Sequence, residues 1–318
     1  VLLTGGAGFI GSHVSEALLR RGFQLSVVDN LDGFYSPAAK RANLEEVRKV
    51  GEFCFCELDL CDFDALHKTI SKLRPDTIIH LAARAGVRPS IEAPQLYERV
   101  NVGGTVNLLE SARQLGVKRF VFGSSSSVYG VTNRVPFSED DPCLRPISPY
   151  AATKLAGEFF CHTYAHLYSL STVCLRFFTV YGPRQRPDLA IRKFATLMEA
   201  GKPIPVFGDG SMGRDYTFVD DTVAGVLAAL DYQFPPGETP FDIFNLGNSH
   251  PVSLNELIAT LERVTGRAAI RDQRELQSGD VPITWASTDK AARMLGFHPA
   301  TSLAEGLEKF VRWFRNAS

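Results

Sequence analysis

The sequence has little cysteine, little tryptophan and almost no net charge. Six cysteines in 318 residues are too few to staple a disulfide scaffold, so a hydrophobic core must hold the fold. Lys plus Arg number 34 and Asp plus Glu 35, a formal net charge of −1. That balance argues against binding nucleic acid or an anionic membrane surface mainly by electrostatics. No apolar run approaches the ~20 residues that cross a bilayer as a helix. Val1-Leu2-Leu3-Thr4 reads as a strand, so no signal peptide is expected ahead of the fold and a cytoplasmic location is the expectation. No metal centre is expected either. Cys54 and Cys56 lie in an apolar run with no second ligand pair at zinc spacing, and they read as small buried hydrophobes. His162 and His166 stand at i,i+4 without the intervening glutamate of a metalloprotease motif; they read as partly buried helix histidines.

What is present is ordinary for a globular enzyme: 45% apolar and 22% charged residues, in a length that suits one large domain or two small ones. Short apolar segments alternate with amphipathic ones. Strands are predicted at 1–4, 25–28, 52–58, 77–80, 119–122 and 172–176. Helices are predicted at 8–21, 37–50, 63–73, 96–114 and 150–167. Such alternation gives a doubly wound, Rossmann-type α/β fold with a parallel sheet. Beyond residue 176 the pattern loosens into Gly- and Pro-rich segments, with helices at 190–200, 221–232, 253–265 and 303–315. We expect a dinucleotide-binding domain over 1–178, to which 215–245 returns. A smaller, irregular α/β substrate lobe is expected from 179–214 and 246–318.

Gly5-Gly6-Ala7-Gly8-Phe9-Ile10-Gly11 follows a predicted strand and opens a predicted helix. Glycines there let the backbone turn tightly against a pyrophosphate, and the helix N-terminus offers it free N–H groups. Asp29 ends the second strand, 18 residues beyond Gly11. Its carboxylate suits the ribose hydroxyls of NAD and repels the extra phosphate of NADP. The next residues, Asn30 and Leu31, supply no arginine for that phosphate. Turn and carboxylate together predict NAD as cofactor.

Tyr150 and Lys154 stand at i,i+4 on one helical face. A tyrosine ionises near pH 10 and is a poor base at neutrality unless a cation favours the phenolate. Lys154 is the expected cation. Ser124-Ser125-Ser126-Ser127 follows the fifth strand, where ligands bind in this fold class, and a hydroxyl there can share the substrate oxygen that Tyr150 deprotonates. The chain order of glycine turn, serine run and Tyr–Lys pair predicts an enzyme.

These residues resemble the extended short-chain dehydrogenase/reductases of the sugar-nucleotide epimerase group. The similarity extends to Asp59-Leu60, His80-Leu81-Ala82-Ala83, Asn101, Gly213-Arg214-Asp215-Tyr216 and Gly279-Asp280-Val281-Pro282. Ala85-Gly86-Val87-Arg88 and the run from Arg176 through Tyr181-Gly182-Pro183-Arg184-Gln185-Arg186-Pro187-Asp188 are most similar to UDP-glucuronate 4-epimerases. The resemblance implies an NAD-dependent epimerase acting on a UDP-sugar, and pairing as a homodimer through the helices near 96–114 and 150–167. It implies Ser125, Tyr150 and Lys154 as catalytic residues. The cofactor would lie on Gly5, Gly8, Phe9, Ile10, Gly11, Asp29 and Asn30. Asp59 and Leu60 would flank its adenine, and Leu81, Ala82 and Ala83 would run along it. Substrate would meet Arg88, Ser125, Ser126, Ser127, Tyr150 and Thr179, with Arg214 on the diphosphate and Asp280 near the uridine ribose. Gln277 departs from the pattern, standing where many UDP-sugar epimerases carry an arginine.

Related dehydratases and decarboxylases carry a carboxylate in the segment that is Ser125–Ser127 here; this chain has only hydroxyls. Without that extra acid/base group, oxidation and re-reduction of the fourth carbon is the natural outcome. A 4-keto uronic acid is prone to lose carbon dioxide, and hydrogen bonds that fix its carboxylate suppress the loss. Thr179 and Arg186 are the candidates for that contact. The reading is therefore interconversion of UDP-glucuronate and UDP-galacturonate. A UDP-glucose/UDP-galactose epimerase is the alternative, and a non-catalytic NAD-binding protein on the same fold a more distant one.

Overall fold

The computed structural model describes residues 1–131, 134–275 and 281–316. The first half runs β1 (Leu2–Thr4), α1 (Phe9–Arg20), β2 (Ser26–Asp29), α2 (Pro37–Arg48), β3 (Cys54–Glu57), α3 (Phe63–Leu73), β4 (Thr77–His80), α4 (Val87–Glu92), α5 (Pro94–Tyr97), α6 (Gly104–Gln114) and β5 (Arg119–Ser125). Then come α7 (Pro149–Tyr168), β6 (Ser171–Phe177), β7 (Thr179–Tyr181), α8 (Ala190–Glu199), β8 (Ile204–Phe207) and β9 (Gly213–Phe218). The chain closes with α9 (Val219–Asp231), β10 (Phe241–Leu246), β11 (Pro251–Ser253), α10 (Leu254–Thr265), β12 (Arg271–Arg274), α11 (Asp289–Leu295) and α12 (Leu303–Asn316).

Seven strands form one parallel sheet in the order β10-β6-β5-β4-β1-β2-β3. The order reverses between β1 and β4, and a doubly wound sheet opens its ligand crevice outside the carboxyl ends at that point. Period-two alternation builds a core on each face. Val27, Leu3, Ile79, Val121 and Val173 pair in register across five strands and are wholly buried on one face. Leu2, Ile78 and Phe120 do the same on the other. Smaller sheets, β11-β9-β7 and β12-β8, come from the second half. Polar side chains and prolines start the helices as their sequences predict: Ser36, Asp62 and Ser148 each accept a first-turn N–H, with Pro37 and Pro149 just inside.

Four expectations are corrected. The helix expected at 96–114 is broken by a π-helical turn over Glu98–Gly103. There the Asn101 amide turns aside to grip the Arg84 backbone, accepting its N–H at 2.8 Å and donating to its carbonyl at 3.0 Å. Such a bulge commonly marks a functional site. Strand β5 runs three residues past its expected end, so Ser124 and Ser125 are strand residues paired with Arg176 and Phe177. Cys54 is exposed and Cys56 half-buried, their sulfurs 3.9 Å apart, because β3 is the sheet's edge strand. His162 and His166 are exposed and stack on each other along α7. Among the described residues no three His, Cys, Asp or Glu gather to hold a metal, and no helix is long and apolar enough to cross a membrane.

Candidate active site

The glycine turn joins β1 to α1. Gly5 has φ +74°, and a Cβ on it would stand 2.7 Å from the Ala82 nitrogen. A Cβ on Gly11 would stand 2.1 Å from the Gly5 carbonyl oxygen, so α1 closes on the turn only with glycine there. Gly8 caps α1 without a side-chain bond, leaving the first-turn N–H groups around Phe9 and Ile10 to a ligand. Asp29 reaches back from β2: Oδ2 accepts the Ala7 N–H at 3.1 Å and Oδ1 the Leu31 N–H at 2.9 Å. Burial raises its pKa, opposed first by the Lys40 charge. Asn30 donates to Asp59 at 3.2 Å, Leu60 is buried against Gly104, and the Ala82 N–H meets the Thr4 hydroxyl at 3.3 Å. Leu81 packs behind Gly123, and Ala83 is half-buried beside it in the chain.

Whether these residues fit a dinucleotide is tested by Tyr35. Its hydroxyl is buried with no hydrogen-bond partner and lies 4.0 Å from where a Gly8 Cβ would stand. An orphaned donor facing a side-chain-free helix start is what a pyrophosphate would complete. Tyr35 was not legible in the sequence, because it lies in the irregular segment between β2 and α2.

At the carboxyl end of β5 the Ser125 hydroxyl donates to the Ser127 hydroxyl at 3.2 Å and lies near enough to the Tyr150 phenol to favour its ionised form. Burial raises the phenol's pKa; the Ser125 hydroxyl and then the Arg186 charge oppose the rise. The expected Lys154–phenol pairing is not the one the side chains make. The Lys154 ammonium donates to the Gly123 carbonyl at 2.7 Å and lies over the Phe122 ring. Burial pulls its pKa down to about 8.

Beside this pair is a cavity of about 170 Å³ lined by Ser126, Ser127, Thr179 and Arg214, with Val87 and Phe137 among its apolar walls. Arg88, next in the chain to the lining Val87, lies over the Phe207 ring and is not itself part of the lining. Arg186 is positioned by stacking over Phe34, yet its fork is engaged by Asp188, Nε to Oδ1 at 3.0 Å and Nη2 to Oδ2 at 2.8 Å. A second carboxylate must share or displace that partner, a condition the sequence reading did not foresee. Gln277 and Asp280 lie outside the described residues.

The model of the "NAD dependent epimerase/dehydratase family" matches residues 1–247. The chain belongs to this family. The UDP-glucuronate 4-epimerase of Thermodesulfobacterium geofontis is 43% identical over 98% of this chain and 95% of that protein. The crystal structure of UDP-glucuronic acid 4-epimerase from Bacillus cereus, in complex with UDP-glucuronic acid and NAD, is similar with a TM-score of 0.91 and 36% identity, covering 100% of this chain and 99% of that one. UDP-glucose 4-epimerase from Thermotoga maritima, with UDP-glucose, has a TM-score of 0.90 and 34% identity over 99% and 98% of the two chains. An NAD-dependent epimerase of the extended short-chain dehydrogenase/reductase type thus accounts for the whole chain.

Proposed function

We propose that this epimerase interconverts UDP-glucuronate and UDP-galacturonate through a transient 4-keto sugar. The observation that carries the reading is the placement of Ser125 at the end of β5, next to the cavity-lining Ser126 and Ser127, with Tyr150 on α7, the helix that the Lys154–Gly123 bond ties to the same strand. NAD held by the glycine turn and Asp29 would supply the acceptor that takes a hydride from the sugar's fourth carbon and the donor that returns it. Tyr150 takes the proton of the fourth-carbon hydroxyl and later gives it back, and Ser125 holds the same oxygen from the other side. Arg186 favours the phenolate. Ser126 and Ser127 supply hydroxyls and no carboxylate, so nothing there removes the fifth-carbon proton and the ketone's outcome is re-reduction. Thr179 and Arg186 hold the uronate carboxylate; Arg214 and Arg88 serve the diphosphate side. The glycine turn, Tyr35 and Asp29 hold the cofactor, with Asp59 and Leu60 at its adenine end.

One observation favours a second reading. Asp188 occupies the Arg186 fork, and a neutral sugar would leave that pair undisturbed. Both readings are tested by incubating the protein with UDP-glucuronate, UDP-glucose and UDP-N-acetylglucosamine and following products by NMR. Conversion of UDP-glucuronate in preference to the others supports the first; preference for UDP-glucose overturns it.

The chain pairs as a homodimer in this proposal. Phe159, Phe160, Leu167 and Tyr168 are exposed on α7 at 59, 37, 59 and 49%, an apolar face that a second α7 would cover. Light scattering at micromolar concentration tests it, a monomer being the adverse result.

A further inference from the structure

Beneath the catalytic pair lies a charged cluster that touches neither the cavity nor the glycine turn. Glu158 and Arg176 are 2% and 3% exposed. Arg176 Nε donates to Glu158 Oε1 at 2.9 Å and Nη2 to Oε2 at 2.8 Å. The Ser124 hydroxyl donates to the same Oε1 at 2.5 Å. A buried ion pair is a poor means of stabilising a fold, since apolar residues of equal volume commonly do as well. Fixing one arrangement among several is its better-attested use.

The arrangement fixed here is the register of β5 on α7. Tyr150, Lys154 and Glu158 fall at successive i,i+4 steps of one helix face. Three consecutive residues of β5 face them: the Gly123 carbonyl accepts from Lys154, the Ser124 hydroxyl donates to Glu158, and Ser125 lies near enough to Tyr150 to favour the ionised phenol. Of the three ties only the middle one involves a full carboxylate. Arg176 extends it, because its guanidinium lies 4.7 Å over Tyr129, the last residue of the turn Ser126–Tyr129 that carries two cavity-lining serines.

We propose that Glu158 is a positioning residue of the reaction: through Ser124 and Arg176 it sets β5 against α7 so that Ser125 meets Tyr150. A second consequence follows from its charge. The groups facing Lys154 are, in order of their effect, Cys161 and Glu158 on α7 and Cys174 on β6, with His80 on β4. His80 is held neutral by burial, and Glu158 is the carboxylate among them, so it supports the lysine's cationic form against desolvation.

The kinetic arm of the test rests on the epimerase reading; the titration arm does not. Glu158→Gln keeps the shape and removes the charge. Misplacing Ser125 by a fraction of an ångström should lower kcat by roughly 10- to 100-fold while KM for UDP-glucuronate stays within about twofold. The alkaline limb of kcat should move to lower pH, as should the Lys154 titration followed by its ¹³Cε resonance and assigned with Lys154→Met. Ser124→Ala, which removes only a hydroxyl, should lower kcat several-fold without moving that titration. A folded Glu158→Gln with wild-type kcat and an unmoved Lys154 titration overturns the proposal. Should Glu158→Gln not fold, wild-type kcat in Ser124→Ala overturns it instead. A Lys154 titration that moves in a protein whose wild type turns over no UDP-sugar supports the electrostatic link and overturns the epimerase reading.

Discussion

The Lys154 ammonium donates to the Gly123 carbonyl at 2.7 Å, two residues before Ser125 on the same strand. The lysine therefore anchors the strand that presents the serine as well as lying one turn from Tyr150. Burial brings its pKa down to about 8. Below that pH it is cationic and above it neutral, so kcat should fall as pH rises through about 8. Rates measured from pH 6 to 10 check this. A flat profile to pH 10 contradicts it, and Lys154→Met should remove the alkaline limb together with most of the rate.

Tyr150→Phe should lower turnover by ~10²–10⁴-fold, the scale of a lost general base. NAD binding should survive, since the glycine turn and Asp29 carry it. Isothermal titration with NAD and initial rates with UDP-glucuronate measure the two effects separately. A variant with half the wild-type rate removes Tyr150 from the mechanism.

Much of this site could be read before any coordinates. The glycine turn, Asp29 and the Tyr150/Lys154 pair obey short-range rules: a tight turn needs glycine, and i,i+4 residues share a helix face. What could not be read depends on long-range packing. Arg176 is 52 residues beyond Ser124 in the chain and meets it only because β5 and β6 pair. The π-helical turn at Glu98–Gly103 arises from an amide gripping Arg84 across the fold, and no local pattern announces that. Glu158 lay half in view, as the next i,i+4 step after Lys154, but its burial and its partners did not. Asp188 stood beside Arg186 in the sequence; that it would fill the fork is a matter of loop geometry.

Asp29 should set cofactor choice. Its carboxylate already accepts two backbone N–H groups, which holds it in place for the ribose hydroxyls. Asp29→Asn removes the charge that repels a 2′-phosphate and weakens the charged hydrogen bonds, worth ~1.5–3 kcal/mol each. NAD affinity should fall by roughly 10- to 150-fold and the preference over NADP should narrow. Titrating both dinucleotides into both proteins tests the role, and equal wild-type affinity for the two speaks against it.

His80 should make the fold sensitive to acid. Its ring nitrogens lie 2.8 Å from the Thr4 hydroxyl and 2.9 Å from that of Thr105, and burial, with a smaller push from Lys154, lowers its pKa to about 3. Unfolded histidine titrates near 6.5, so between about 6.5 and 3 the unfolded chain binds the extra proton. The stability this neutral ring contributes is complete above about 6.5 and is lost as pH falls, at up to about 1.4 kcal/mol per pH unit. His13, also lowered to about 3 by burial and the Arg184 charge, adds in the same direction. In urea unfolding, His80→Gln should be less stable than wild type at pH 7, and the gap should narrow toward pH 4. A gap that is constant with pH denies His80 this role.

Arg186 separates the two substrate readings, and Asp188 sharpens the test. An arginine fork can hold a carboxylate by two charge-assisted hydrogen bonds, but here the fork already grips Asp188. If UDP-glucuronate is the substrate, its carboxylate competes with Asp188 for one guanidinium. Arg186→Ala should then weaken use of UDP-glucuronate by roughly 10- to 150-fold beyond the loss it causes with neutral UDP-sugars, which lose only the charge that favours the Tyr150 phenolate. With the carboxylate freed, part of the 4-keto intermediate should lose carbon dioxide and yield a UDP-pentose. Asp188→Asn should act oppositely: the fork opens, and KM for UDP-glucuronate should fall while KM for UDP-glucose stays put. NMR product analysis of the two variants reads both effects in one experiment. Wild-type epimerisation of UDP-glucuronate by Arg186→Ala would dismiss the carboxylate contact. A fall in UDP-glucose use alone would transfer the role of Arg186 to the phenol of Tyr150, the group its charge already favours in ionised form.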